Sequence, residues 1–287
     1  MSWTLSCPLC RSQGPHKVLY SGPQEQGRSV AFLRCPCRLI FRNPPPTRKE
    51  LEGSFQKYWK GSEKERSSLK KSLGTAHQLL SQFEKYSKRK RLLDIGCGPG
   101  FYLMAARERG WETYGVDLIS PRSFSEEGIR IFEGTLEEAH FPSEFFGACL
   151  ISHTLNHLLG PVESLREVHR VLEHRGILCV VTPNFLRFGS LGLQWKWDTL
   201  VSVQYPYLFG EKTTRRLICQ SGFEIFGFDA RASLVTGNLL KRFHIFLESP
   251  FGRRIVRFAE KPKEFLRVFF GNILPGPTIT IWARKVL

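Results

Sequence analysis

The fold class this sequence predicts is a doubly wound, mostly parallel α/β sheet behind a small cysteine-bearing leader. Three observations carry that expectation. Short apolar strands alternate with helical stretches from about residue 91 onward, one strand runs straight into a glycine-rich turn, and four cysteines fall within the first 37 residues. A chain of 287 residues has material for one large domain and an appendage. Its 41% hydrophobic share excludes disorder as the whole answer, and no apolar run is long enough to span a bilayer. The opening Met1-Ser2-Trp3-Thr4 lacks the basic-then-apolar pattern of a secretory signal, so a cytoplasmic location is expected.

The leader comes first. Cys7-Pro8-Leu9-Cys10 lets two thiolates close on one tetrahedral ion, and Cys35-Pro36-Cys37 supplies a second pair. The expectation is a zinc ribbon whose four thiolates leave no position for water, so the metal would be structural. The second pair is one residue tighter than the usual C-x-x-C, and a pair of reduced turns is the alternative. Cys97, Cys149, Cys179 and Cys219 lie mostly in apolar segments and read as small core hydrophobes. Asn43-Pro44-Pro45-Pro46 ends the leader as a stiff extended linker, setting its bounds at 1–46.

Residues 47–90 follow as linker and helix. From Glu63 to Ser87, Leu69, Leu73, Ala76, Leu80 and Phe83 recur at steps of three and four, an amphipathic pattern. The main domain is expected over 91–287. Its strands are predicted at Arg91–Ile95, Trp111–Val116, Ile129–Glu133, Phe146–Ser152 and Gly176–Thr182, with Phe223–Phe228 and Thr278–Ala283 as a closing antiparallel pair. A helix follows the glycine turn as far as Arg109, and Val162, Leu165, Val168 and Leu172 line one face of another.

Charge divides along the chain. Residues 1–91 carry +13, 92–235 carry −4 and 236–287 carry +7, so a mildly acidic core is bracketed by basic flanks suited to anionic partners. Across 236–275, apolar residues including Leu240, Phe243, Phe251 and Phe258 recur at helical spacing among Arg and Lys. Such a basic amphipathic insertion suits peripheral contact with an acidic membrane surface, or a lid over the site.

The glycine turn carries the chemistry. Gly96, Gly98 and Gly100 are one residue short of the G-x-G-x-x-G dinucleotide spacing. Asp94, two residues before the first glycine, would repel a pyrophosphate and attract an ammonium group. Asp117 ends the next strand, where a carboxylate can accept hydrogen bonds from both ribose hydroxyls. Adenosine with an ammonium group describes S-adenosylmethionine.

At these residues the chain resembles the class I S-adenosylmethionine-dependent methyltransferases. Asp94-Ile95-Gly96-Cys97-Gly98-Pro99-Gly100 is similar to that family's first motif and Tyr114-Gly115-Val116-Asp117 to its second. Leu150 to Leu158, Arg170-Val171-Leu172 and Val181-Thr182-Pro183-Asn184 follow in the family's order, and Ser221-Gly222-Phe223 continues the match. The resemblance implies a seven-stranded Rossmann-like sheet, and its cysteine leader and Asn-Pro-Pro segment are similar to a bacterial branch of these enzymes. It extends the cofactor pocket to Leu118, Thr135, Leu136 and Ser152. Thr135, Gly147, Asn156 and Arg175 depart from the family pattern, which implies weakened cofactor affinity.

Methyl transfer is an in-line displacement, so the protein chiefly positions the acceptor and excludes water. A base is needed for a neutral hydroxyl, and His153 and His157, flanking the end of the fourth strand, are the candidates. Trp195, Trp197, Tyr205 and Tyr207 are candidates for an acceptor wall. The sequence therefore predicts methyl transfer to oxygen or carbon of a small or lipid-linked acceptor. An RNA methyltransferase is the runner-up, favoured by the basic leader, and a noncatalytic cofactor-binding scaffold is the third reading.

Overall fold

The computed structural model describes residues 6–23, 29–59, 76–119, 129–185, 202–230 and 278–286. Outside them lie residues 63–75 of the expected amphipathic helix, Trp195 and Trp197, and the basic insertion at 236–275.

The leader forms an antiparallel meander, β1 (Lys17–Pro23), β2 (Ser29–Arg34) and β3 (Ile40–Asn43). A helix, α1 (Arg48–Trp59), begins four residues after β3, and the described part of a second, α2, runs over 76–86. Thr47 caps α1: its hydroxyl accepts from the Glu50 amide at 3.3 Å, while the Glu50 carboxylate takes the Thr47 amide at 2.7 Å. On α2, Ala76, Leu80 and Phe83 are buried, and Phe83 meets Trp111 and Trp282 edge to face.

The main sheet then alternates with helices: β4 (Arg91–Ile95), α3 (Phe101–Glu108), β5 (Glu112–Asp117), β6 (Ile129–Glu133), β7 (Phe146–Ser152), α4 (Pro161–Val171) and β8 (Leu172–Pro183). A two-residue strand β9 (Tyr207–Leu208), helix α5 (Glu211–Gln220), β10 (Phe223–Asp229) and β11 (Thr278–Lys285) complete the described elements. The seven strands lie in the order β10-β11-β8-β7-β4-β5-β6. All neighbours from β8 to β6 pair in parallel, while β11 runs antiparallel to both β8 and β10.

The central strands are apolar at nearly every position because helices cover both faces. Alternation divides their side chains between two cores. Leu93, Ile95, Cys149, Ile151, Leu178 and Val180 pack on one face, and Leu92, Ala148, Leu150, Ile177 and Cys179 on the other. Cys149 and Cys179 are thus core hydrophobes, whereas Cys219 is exposed. Strand order reverses at β4, where the chain passes to β5 on one side and later to β7 on the other. In an open parallel sheet this opens a crevice at the carboxyl ends of the strands.

The leader is stitched to this domain. Strand β3 pairs with β9, Phe41 opposite Tyr207 and Ile40 opposite Leu208, and Cys7, Cys35, Leu39 and Phe41 belong to the same buried cluster as Phe209 and Leu155.

Gly147 illustrates a local constraint. It stands at the start of β7, the end of the sheet away from the crevice, and a Cβ there would lie 2.2 Å from the Arg89 carbonyl oxygen. Packing against the 87–89 turn therefore accounts for glycine here, and its departure from the family pattern has no bearing on the cofactor pocket. Gly147→Asp is expected to destabilise the fold by roughly 1–3 kcal/mol in urea unfolding. Cofactor affinity measured in the folded fraction should stay at the wild-type value.

Candidate active site

Strand β4 ends in the turn 96–100, where Gly96, Gly98 and Gly100 all have positive φ, at 69°, 51° and 82°. The first glycine is also required by space: a Cβ on Gly96 would stand 2.1 Å from the Thr154 hydroxyl. Gly100 faces inward instead, toward Ile131 and Leu103, so its freedom serves the start of α3.

Two carboxylates flank this turn. Asp94, on β4, is 1% exposed, and neither of its oxygens has a hydrogen-bond partner among the described residues. Burial, with a smaller contribution from the Asp117 charge, pushes its pKa from 3.8 up to about 8. Asp117, at the end of β5, accepts from the Gly98 amide at 2.8 Å and the Ile119 amide at 3.0 Å. Burial raises its pKa, opposed by those two amides. A buried carboxylate below a glycine cradle suits a cationic ligand group.

Above the turn lies a cavity of about 710 Å³, a size suited to a cofactor and a small acceptor together. Leu118, Thr135, Leu136, Ser152, His153 and His157 line it, as do Gly96, Gly98 and Asp117. Thr135 is tied down by Glu138, which takes the Thr135 amide at 2.9 Å, and Ser152 donates to the Tyr102 hydroxyl at 3.3 Å. His153 sits in the left-handed region at φ 57°, and no hydrogen bond fixes its ring among the described residues. Desolvation by the surrounding walls lowers its pKa below the usual imidazole value.

His157 is held differently. It lies at the end of the 3₁₀ turn Leu155–His157, with Nδ1 2.5 Å from the main-chain carbonyl oxygen of Gln204. A carbonyl can only accept, so the proton is on Nδ1 and Nε2 keeps its lone pair. Burial lowers the His157 pKa, with the Gln204 carbonyl opposing and His153 adding slightly. The ring contacts Phe55 of α1 edge to face at 5.4 Å and Tyr205 at 5.0 Å.

Residues 93–180 match the family described as "Methyltransferase domain". Together with the strand order and the glycine turn, this decides the assignment. The chain carries a class I S-adenosylmethionine-dependent methyltransferase domain. The chain is 26% identical over 113 residues to rice (Oryza sativa subsp. japonica) 2-methyl-6-phytyl-1,4-hydroquinone methyltransferase 2, chloroplastic, a match covering 36% of this chain and 32% of that protein. The chain thus spans about a third of that relative's length. Its fold is similar to a chain from the complex between the Haloferax volcanii Trm112 methyltransferase activator and a methyltransferase, with a TM-score of 0.56, 14% identity, and coverage of 80% of this chain and 97% of that one. A SAM-dependent methyltransferase from Thermotoga maritima gives a TM-score of 0.53 and 18% identity, covering 83% of this chain and 99% of its own.

Around the cavity, sequence reasoning missed Phe55, Tyr102 and Gln204, all of which line it. Phe55 had a readable signal, because Thr47-Arg48-Lys49-Glu50 is a capping box announcing α1. Gln204 had none, since it acts through its main chain. Asn156, a departure from the family pattern, is fully buried, donating to the Thr182 hydroxyl at 3.0 Å and accepting from the Phe209 amide at 3.4 Å. It holds the turn that carries His157.

Outside the methyltransferase domain, the sulfurs of Cys7, Cys10, Cys35 and Cys37 lie within 4.8 Å of one another, Cys7–Cys37 at 3.7 Å and Cys10–Cys35 at 3.4 Å. Four thiolates about 2.3 Å from one zinc ion stand roughly 3.8 Å apart, so the spacing fits. The tight second pair is a shortened copy of the first turn. In one, the Arg11 amide donates to Cys7 and the Cys7 amide to Ser12; in the other, Arg38 donates to Cys35 and Cys35 to Leu39, each bond spanning one residue fewer. Arg11 and Arg38 occupy the left-handed region at φ 58° and 77°.

Proposed function

We propose that this protein transfers a methyl group from S-adenosylmethionine to the oxygen or an activated ring carbon of an uncharged, hydroxylated ring. The observation that carries the cofactor assignment is the buried Asp94 carboxylate at the glycine turn, which has no hydrogen-bond partner among the described residues. When bound, the cofactor supplies an electrophilic methyl group on a sulfonium centre. Asp94 would hold its ammonium group, Asp117 its ribose hydroxyls, and Leu118, Thr135 and Leu136 would surround its adenine.

The acceptor side is argued from lining chemistry. Although the chain carries a formal charge of +16, no Lys or Arg lines the cavity among the described residues, and its carboxylates are Asp117 and Glu137. That lining disfavours a phosphate-bearing acceptor inside the cavity. Phe55 and Tyr205 line the cavity in contact with His157 and supply aromatic surface for a ring. His157 Nε2 would take the hydroxyl proton, leaving an oxyanion whose charge spreads into the ring and makes the oxygen or an adjacent carbon nucleophilic. His153, whose ring has no hydrogen bond among the described residues, serves as a second contact to the acceptor. The rice relative, whose name specifies a hydroquinone, supports this reading.

The test is methyl-donor turnover against neutral phenols and hydroquinones, sugars, and RNA, read by mass spectrometry. Turnover confined to RNA would overturn the acceptor assignment, and no heat of binding with S-adenosylmethionine would overturn the cofactor.

We further propose a structural zinc ion at the four cysteines. Elemental analysis is expected to find about one zinc per chain. Cys35→Ser should lose the metal and lower the melting temperature, since binding energy at such a site is folding energy. A wild-type chain purified without metal and unchanged in melting temperature on adding zinc would refute it.

A further inference from the structure

We infer that the cysteine knuckle positions the His157 imidazole, acting through β3 and the segment 204–209. This inference rests on the reading of His157 as the base.

Three residues around the 3₁₀ turn are each tied to that segment. His157 Nδ1 donates to the Gln204 carbonyl at 2.5 Å, the Asn156 side chain takes the Phe209 amide at 3.4 Å, and the Leu159 carbonyl takes the Tyr207 hydroxyl at 2.8 Å. These contacts run along the whole segment, so its placement sets both the tilt of the ring and the nitrogen that bears the proton. The segment has little regular structure of its own, with only Tyr207 and Leu208 in a strand. Its other side is held by the leader: Ile40 pairs with Leu208, Phe41 pairs with Tyr207, and the Arg42 amide donates to the Pro206 carbonyl at 2.8 Å. Strand β3 in turn begins directly at the second cysteine turn, where the Cys35 amide donates to the Leu39 carbonyl at 2.9 Å.

The path from thiolates to imidazole is therefore short and continuous. A closed knuckle fixes Leu39 and β3, β3 fixes residues 206–208, and those fix the Gln204 carbonyl that holds His157 as the Nδ1–H form. Gln204 acts here as a positioning residue, through its main-chain carbonyl. The cofactor turn is outside this path, since β4 and β5 carry it. Opening the knuckle should disturb the base and leave cofactor binding intact.

The experiment uses the full chain with ¹⁵N-labelled histidine, loaded with zinc, and reads the two ring nitrogens of His157 and of His153 by NMR. In the zinc-loaded chain His157 should show a protonated Nδ1 and an unprotonated Nε2. Stripping zinc with a chelator, verified by elemental analysis, should move both His157 resonances toward the averaged values of a free imidazole, with His153 and the S-adenosylmethionine affinity unchanged. Unmoved His157 resonances in the metal-free chain would overturn the inference. Should chelation unfold the chain, Arg42→Pro in the zinc-loaded protein removes the amide facing Pro206, together with the buried Arg42 side chain and its bond to the Pro44 carbonyl, and spares the cysteines. It should produce the same movement with zinc retained, and an unmoved His157 there would equally overturn the inference. The readout is independent of turnover, so a His157 that is positioned this way yet proves dispensable for methyl transfer would refute the base assignment alone.

Discussion

Replacing Asp94 by Asn should weaken S-adenosylmethionine binding by about 10- to 100-fold, the worth of a charge-assisted hydrogen bond, and should stabilise the ligand-free protein at high pH. Both effects have one cause. The buried Asp94 carboxylate has no hydrogen-bond partner among the described residues, and burial pushes its pKa up from 3.8 to about 8. A raised pKa means that the folded chain holds a proton which the unfolded chain releases. Wild-type stability therefore falls as pH climbs from about 4 to 8, and the loss is complete above 8. Asparagine carries no charge and removes that slope. The variant should melt above wild type at pH 9, with the difference shrinking toward pH 5, as differential scanning calorimetry would read.

Ligand binding reverses the energetics. An ammonium group beside Asp94 favours the ionised carboxylate, so at pH 7 binding should release close to one proton. Calorimetric titration in two buffers of different ionisation enthalpy measures this directly. A ligand with the adenosine but no amino-acid portion should release none. Equal proton release by both ligands, or unchanged affinity in Asp94→Asn, would remove Asp94 from the cofactor site.

The second large effect belongs to His157. His157→Asn should lower kcat by roughly 10²- to 10³-fold on a neutral hydroxyl acceptor, the usual worth of a positioned base, while leaving S-adenosylmethionine affinity unchanged. The pH profile carries an independent signature. Burial lowers the His157 pKa from its ordinary 6.5, so the neutral ring persists into mildly acidic solution. The acid limb of kcat/KM should have its midpoint below 6.5 and should vanish in the variant. His153→Asn, by contrast, should chiefly raise KM for the acceptor. A full loss of turnover in His153→Asn with none in His157→Asn would exchange the two roles.

The parallel core was legible because buried central strands contain apolar runs such as residues 177–181 and 146–151, and because Gly96-x-Gly98-x-Gly100 can only be a turn. The four cysteines were legible from spacing alone, and the structure gathers their sulfurs. What escaped was whatever lacks a side-chain pattern. Strand β9 is two residues long, too short for any periodicity, yet it joins the leader to the domain. Gln204 acts through a carbonyl that every residue possesses. Gly147 was readable only as a departure from a motif, until the approach of the Arg89 carbonyl supplied its physical reason. The basic insertion at 236–275 lies outside the described residues.

The absence of room at Gly96 has a thermodynamic consequence. Its missing side chain is filled by Thr154, whose hydroxyl also reaches the Gly96 carbonyl at 3.4 Å, three residues before His157. Substitutions at Gly96 and Thr154 should therefore not add, and a double-mutant cycle across that one contact would carry a measurable interaction energy.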